Sequence, residues 1–166
     1  MLQVYKVFSD AILPKYATKA SACFDLHACL IPGESIKRCG LTNRLFESNI
    51  KDSRSIEVKP GERVLIPTGL KFHIPQNHSI RLHPRSGLAF KNGLALSNSE
   101  GVIDEDYVEQ VFVCVINNSA ETFTVAHGDR ICQAELVLDC RCGLQETDIP
   151  PTKKTERDGG FGSTGI

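Results

Sequence analysis

The chain has 166 residues, 41% of them hydrophobic, and a net charge of −1 from 19 Lys and Arg against 20 Asp and Glu. That length supports one core burying about two thirds of the unfolded surface, and the charge balance gives no reason to expect a nucleic acid or an anionic membrane as partner. The opening MLQVYKVFSDAILPKY lacks the basic start and unbroken apolar run of a secretion signal, and no stretch nears the roughly 18 apolar residues of a membrane span, so a soluble, intracellular protein, cytoplasmic or nuclear, is expected.

In chain order, VYKVF (4–8), RVLIPTGLKFHI (63–74), SIRLH (79–83), QVFVCVIN (110–117), TFTVA (122–126) and ICQAELVL (131–138) are short, rich in β-branched and aromatic residues, and bounded by Pro, Gly, Asn or charge. They read as strands. Helical periodicity with caps is sustained nowhere beyond about ten residues, which leaves helix at most a turn or two. The expected fold is all-β, a jelly-roll-like barrel of short strands with little helix. Pro60-Gly61 and the stretch from Ile74 to His78 mark turns. Residues 33–55 are polar, mixed in charge and weakly periodic; they read as a long loop insertion with room for a short helix. LALSNSEGVIDEDY (94–107) reads as a hairpin whose arms lie side by side, so that Asp104, Glu105, Asp106 and Tyr107 line one pocket. A regular strand there sends Asp104 and Asp106 to one face and Ile103, Glu105 and Tyr107 to the other. The expected division is thus a domain over 1–146 and a mobile arm over 147–166, whose prolines, charges and glycines cannot pack a core.

Seven cysteines is an odd number, and Cys29, Cys114 and Cys132 sit in apolar runs, where a small buried thiol is the ordinary reading. Cys140 and Cys142 form C-x-C, with no partner pair at zinc-finger spacing. Free thiols are expected.

PRSGLA (84–89) combines a guanidinium, a hydroxyl and a permissive glycine, which suits phosphate as well as it suits a surface turn with a solvated arginine. GGFGSTG (159–165) lacks the Lys and following helix of a phosphate loop; it is either a solvating tail or a lid over a flat ligand, and Phe161 between glycines favours the lid. Asp104 and Asp106 are solvated turn acids or, beside a phosphate site, groups that orient water or hold Mg²⁺.

ACFDLHA (22–28), PRSGLA (84–89), GVIDEDY (101–107), GDRICQ (128–133) and GGFGSTG (159–165) together resemble, in order, the five motifs of the trimeric dUTP diphosphatase (dUTPase) family. The resemblance spans nearly the whole chain apart from 33–55. It implies hydrolysis of dUTP to dUMP and pyrophosphate with Mg²⁺, which keeps uracil out of DNA and supplies dUMP. It implies Asp104 as the carboxylate activating the attacking water, Tyr107 as the ring under deoxyribose, and Asn98 with backbone groups of Gly101 and Ile103 as the reader of uracil. By the same resemblance Ser86, Gly87 and Gln133 contact phosphate, Arg85 and Arg157 neutralise the outer phosphates, and Asp25 holds Mg²⁺ through its water shell. Phe161 stacks over uracil, Gly162, Ser163 and Thr164 reach the γ-phosphate, and three subunits share each site in a homotrimer. Four features depart from the family pattern: Cys23 and Glu109 stand at usual glycine positions, Arg157 lies one residue closer to the Gly-Gly-Phe step, and 33–55 has no family counterpart. The related dCTP deaminases are disfavoured, because their glutamate falls at or near Cys114. A nucleotide-responsive binding protein, using the same site as a switch, is the alternative of a different class.

Overall fold

The computed structural model describes residues 1–156 and 159. It is almost wholly β. The strands are β1 Gln3–Lys6, β2 Phe24–His27, β3 Ser35–Cys39, β4 Leu45–Asn49, β5 Ser55–Val58, β6 Arg63–Pro67, β7 Leu70–His73, β8 His78–His83, β9 Leu94–Leu96, β10 Gly101–Ile103, β11 Phe112–Asn117, β12 Phe123–Ala126 and β13 Arg130–Leu138, with a single helix, α1 Ser86–Asn92, among the described residues. They form a four-stranded sheet in the order β10-β8-β13-β2, a five-stranded sheet in the order β4-β3-β6-β11-β9, and the pairs β1-β7 and β12-β5. All strand pairings are antiparallel. Alternation of apolar and polar residues sends one face of each large sheet inward, where Leu26, Val64, Ile66, Ile80, Val113 and Val115 are essentially inaccessible. This is the expected jelly-roll-like architecture.

The Thr68-Gly69 corner between β6 and β7 shows why the chain turns where it does. Gly69 has φ +68° and a Cβ there would lie 2.6 Å from the Cys29 sulfur, so only glycine fits. The buried Thr68 hydroxyl donates to the Val111 carbonyl at 2.7 Å, satisfying a group that burial would otherwise strand. Asn117, also fully buried, donates to the carbonyls of Val58 (2.8 Å) and Glu121 (2.7 Å) and ties the two-stranded β12-β5 sheet to the large sheet.

Two expectations change. Residues 33–55 are not a long loop with a short helix: β3 and β4 pair over five positions, from Ser35 with Asn49 to Cys39 with Leu45. The hairpin buries few side chains, among them Ile36 and Ile50, so its alternation is nearly invisible in the sequence. A charge pair fastens it to the body instead, Arg38 Nε to Glu62 Oε1 at 2.8 Å, with Glu62 buried and Arg38 half-buried. The second change concerns the arms of the 94–107 segment. They do not lie side by side: β9 joins β11 in the five-stranded sheet, while β10 joins β8 in the four-stranded one. The turn between them, with Ser99 at φ +63°, is a crossover between sheets.

All seven cysteines are free thiols; Cys29 and Cys132 are buried, Cys114 is half-buried, and Cys140 and Cys142 are exposed. No helix among the described residues is long and apolar enough to cross a membrane. From Cys140 to Glu156 the chain has no strand or helix and is exposed.

Candidate active site

The site grows from one end of the four-stranded sheet. Antiparallel register places Gln133 on β13 opposite both Asp25 on β2 and His83 on β8, so residues far apart in sequence share one row and one face. Two residues beyond His83, extended Arg85 leads into α1, which starts with Ser86 and Gly87, both exposed. A Cβ on Gly87 would meet nothing within 4 Å, so its surface is open to an approaching ligand. The GDRICQ stretch divides into turn and site. The Asp129 carboxylate accepts the Ala126 N–H at 2.8 Å and closes the β12–β13 turn, and a register shift between Arg130 and Cys132 then aims Arg130 back at Asp25.

Electrostatics pin this end. Arg130 donates to Asp25 Oδ2 at 3.1 Å, Arg85 Nε stands 3.3 Å from Oδ1, and an Arg85 Nη1 proton goes to the Arg130 carbonyl at 3.2 Å. Leu88, Leu94, Phe123 and Ile131 line a cavity of about 270 Å³ whose polar border holds Arg85, Arg130 and Asp129. Asp25 Oδ1 is buried and accepts no hydrogen bond despite the nearby guanidinium. A carboxylate oxygen with a free lone pair, beside two arginines that border the cavity, suits a hydrated divalent cation. Nearby, burial is the chief cause that pushes the His27 imidazole below its usual range, opposed by Asp25. Burial likewise pushes the Cys132 thiol up to about 12, so the cysteine beside Gln133 is not a nucleophile.

The other expected residues lie at the opposite end of the same sheet. Ile103 is paired with Ile80, so Asp104 leaves β10 at the level of Ser79, four strand positions or about 13 Å from the Asp25–Gln133 row. The alternation expected for 103–107 does not occur, because β10 ends at Ile103 and the Tyr107 N–H closes a turn onto the Asp104 carbonyl at 3.1 Å. Asp104 and Asp106 are exposed, whereas Glu105 is half-buried and structural, accepting the Asn77 N–H at 2.8 Å and pairing with Arg141 at 3.2 Å. The acids and the tyrosine therefore do not line one pocket. The Tyr107 hydroxyl donates to the Gln110 carbonyl at 3.0 Å, which fixes the ring. Asn98 is exposed in the crossover turn, and Gly101 is buried where a Cβ would press on Leu82 at 3.0 Å. Arg157, Phe161, Gly162, Ser163 and Thr164 lie outside the described residues.

A family model described as dUTPase matches residues 49–165. The chain belongs to the dUTPase family. A deoxyuridine 5'-triphosphate nucleotidohydrolase of Nautilia profundicola is 38% identical over 165 residues, 99% of this chain and 98% of the relative. One from Methylocella silvestris is 40% identical over 158 residues, covering 95% and 85%. Among solved structures, the dUTPase of Staphylococcus bacteriophage 80alpha with dUpNHpp aligns with a TM-score of 0.78 at 19% identity over 100% of this chain and 99% of that one. The dUTPase of Streptococcus mutans aligns with 0.66 at 24% over 86% and 98%. At those identities the structural likeness concerns the fold.

For this dUTPase-family chain, the resemblance to the family's motifs singled out Asp25, Arg85 and Gln133, and the structure brings them together. Arg130 lay inside a quoted motif but was given no role, since its pairing with Asp25 depends on the β13 bulge. The cavity of about 520 Å³ against the β3–β4 hairpin, bordered by Arg38, Phe46, Ser48, Glu57, Lys59 and Thr124, had no signal in the sequence.

Proposed function

We propose that the chain hydrolyses dUTP to dUMP and pyrophosphate in sites completed between copies of itself in a homotrimer. The observation that carries this reading is the separation of the two halves of the machinery on one sheet. In-line attack needs the base within hydrogen-bond reach of a water that itself lies about 3 Å from the α-phosphorus. About 13 Å between the Asp104 level and the Asp25–Gln133 row is too far for one chain to serve one nucleotide. The Asp104 end of one copy meeting the Arg85 end of another removes the gap. Exposed apolar side chains around Asp104, with Val102 46% and Val108 66% accessible, offer surface for that contact.

Asp104 accepts the proton of the attacking water as its oxygen bonds to the α-phosphorus. The bond to the α,β-bridging oxygen breaks, its electrons leave with pyrophosphate, and dUMP keeps the new oxygen. Arg85, Ser86, Gly87 and Gln133 hold the phosphates at the preformed end. Asp25, whose Oδ1 accepts no hydrogen bond, would hold Mg²⁺ through water, and the cation would offset phosphate charge. A solved neighbour, the dUTPase of phage phi11, is described with a structural Mg(II) ion. β10 is an edge strand, so one rim of its N–H and C=O groups is open to the hydrogen-bonding edge of uracil at Gly101 and Ile103, beside Asn98. Tyr107, its hydroxyl anchored on Gln110, presents its ring to deoxyribose and leaves no room for a 2′-hydroxyl. Arg157 and the arm residues Phe161, Gly162, Ser163 and Thr164 close over the base and outer phosphates.

Pyrophosphate release measured with dUTP, UTP, dCTP and dTTP tests the assignment. Turnover of dUTP far above the other three is expected, and no turnover of dUTP by the pure protein overturns it.

A further inference from the structure

We propose that Cys23, His83 and Glu135 form a binding site for a thiophilic divalent cation of the zinc class. The three belong to adjacent elements of the four-stranded sheet. Cys23 precedes β2 and stands one position beyond the Phe24–Ala134 pair, which sets it beside Glu135; His83 ends β8 opposite Gln133. Their sulfur, ring nitrogen and carboxylate oxygen all lie within 4.8 Å of one another. The His83 Nε2 to Glu135 Oε2 separation is 3.5 Å. A tetrahedral zinc ion with bonds of about 2.0 to 2.3 Å sets its ligand atoms about 3.3 to 3.8 Å apart, so the His–Glu edge already fits and the sulfur needs to move in by about 1 Å.

Three further observations point to a ligand. His83 Nε2, the nitrogen that faces the cluster, is buried and has no hydrogen-bond partner. The other nitrogen, Nδ1, lies 3.7 Å from the Glu100 carboxylate. A small approach of the Glu100 carboxylate lets Nδ1 donate its proton there, the tautomer in which Nε2 turns the lone pair that a metal requires toward Glu135 and Cys23. Arg81, which shares this face, is turned to Asp139 at 3.5 Å and Glu100 at 3.9 Å, and among the described residues no other cation pairs with Glu135.

The charge balance also closes. Binding forms a metal–sulfur bond and releases the Cys23 thiol proton to solvent; with thiolate, carboxylate and neutral imidazole as ligands, a divalent ion is neutralised in a half-buried place. One coordination position is left for water. Soft sulfur selects this ion over Mg²⁺, which takes oxygen ligands, so the site is separate in chemistry from the Asp25 carboxylate two residues away. Its structural effect is to clamp β2, β8 and β13 beside the phosphate end.

The test uses the full-length protein carrying Cys140→Ser and Cys142→Ser, which removes the exposed C-x-C pair as a competing chelate. It is stripped with a chelator, titrated with Co²⁺ as an optical probe, and then with Zn²⁺. One Co²⁺ per chain is expected, with thiolate-to-metal charge-transfer absorption and the intense visible bands of a four-coordinate ion, both lost on adding Zn²⁺. Cys23→Ser is expected to remove the charge-transfer band, and Glu100→Gln to weaken Co²⁺ binding about tenfold through the imidazole it orients. Absence of the band at one equivalent in the folded parent overturns the proposal without recourse to any variant, as does a Cys23→Ser protein that keeps it.

Discussion

The two ends of the β10-β8-β13-β2 sheet are finished to different degrees. At the Asp25 end, three strands align their side chains in one row, two arginines bracket a carboxylate at 3.1 and 3.3 Å, and a cavity stands ready beside them. At the Asp104 end, an edge strand of three residues runs into a turn, and the carboxylate and the tyrosine ring face outward. Two of the three strands in the Asp25 row, β8 and β13, are interior and held from both sides by ladders, with β2 at the sheet's other edge, whereas Asp104 follows an edge strand held from one side. The preformed end has what phosphate binding needs, a rigid set of donors; the open end has what a contact between copies needs, accessible surface beside a reactive group.

Breaking the open end alone gives the largest effect. Asp104→Asn keeps the shape and removes the base, so kcat for dUTP is expected to fall by about 10² to 10⁴ with binding of a non-hydrolysable dUTP analogue retained. Full rate in this variant places the base elsewhere. The next effect joins the two ends: inactive Arg85→Ala and Asp104→Asn chains, unfolded, mixed equally and refolded together, recover about a quarter of parent turnover, the statistical share of sites drawing both intact halves from different copies. Sites contained within one chain recover nothing. Loss of a supporting arginine at the preformed end, one that touches Asp25 instead of the phosphates, has a smaller effect. Arg130→Ala removes the hydrogen bond to Asp25 and is expected to raise KM about tenfold with a lesser change in kcat, the usual scale for a bond to a charged group. A fall in kcat with KM unchanged contradicts its positioning role.

The smallest effect is in the pH dependence of stability, and it also belongs to the preformed end. Burial lowers the His27 pKa from its ordinary value near 6.5, and its Nδ1 is buried without a hydrogen-bond partner. A depressed folded-state pKa means that the unfolded chain binds the proton more readily. The contribution is present above about pH 6.5 and is lost as pH falls through the folded-state value. The melting temperature measured from pH 7.5 to 5 is expected to decline, and His27→Gln is expected to flatten that part of the curve.

β11 and most of β6 were readable because their burial alternates, one face meeting the core and the other water, while β8 and β13, where Ser79-Ile80 and Ile131-Cys132 break the alternation, were readable from composition and bounding turns. The β3–β4 hairpin escaped because its attachment rests on Arg38 and Glu62 and on isolated residues such as Ile36. An ion pair 24 residues apart leaves no periodic trace. The 94–107 segment was misread for a related reason: two apolar arms around a polar turn look the same whether they pair with each other or part to different sheets. Ladders to β11 and β8 decide the matter, and those partners are distant in sequence.

The sequence by itself determined the chemical inventory: the carboxylates, arginines, glutamine and tyrosine with their motif spacings, the all-β character, and the absence of a long apolar helix. Only the tertiary structure decided adjacency. Period two assigns a side chain to a face, but its level along the sheet is set by the register of strands far apart in the chain. Register is what puts Asp25, His83 and Gln133 in one row, Cys23 beside Glu135, and Asp104 at the far end from the phosphate donors it is proposed to serve in a neighbouring copy.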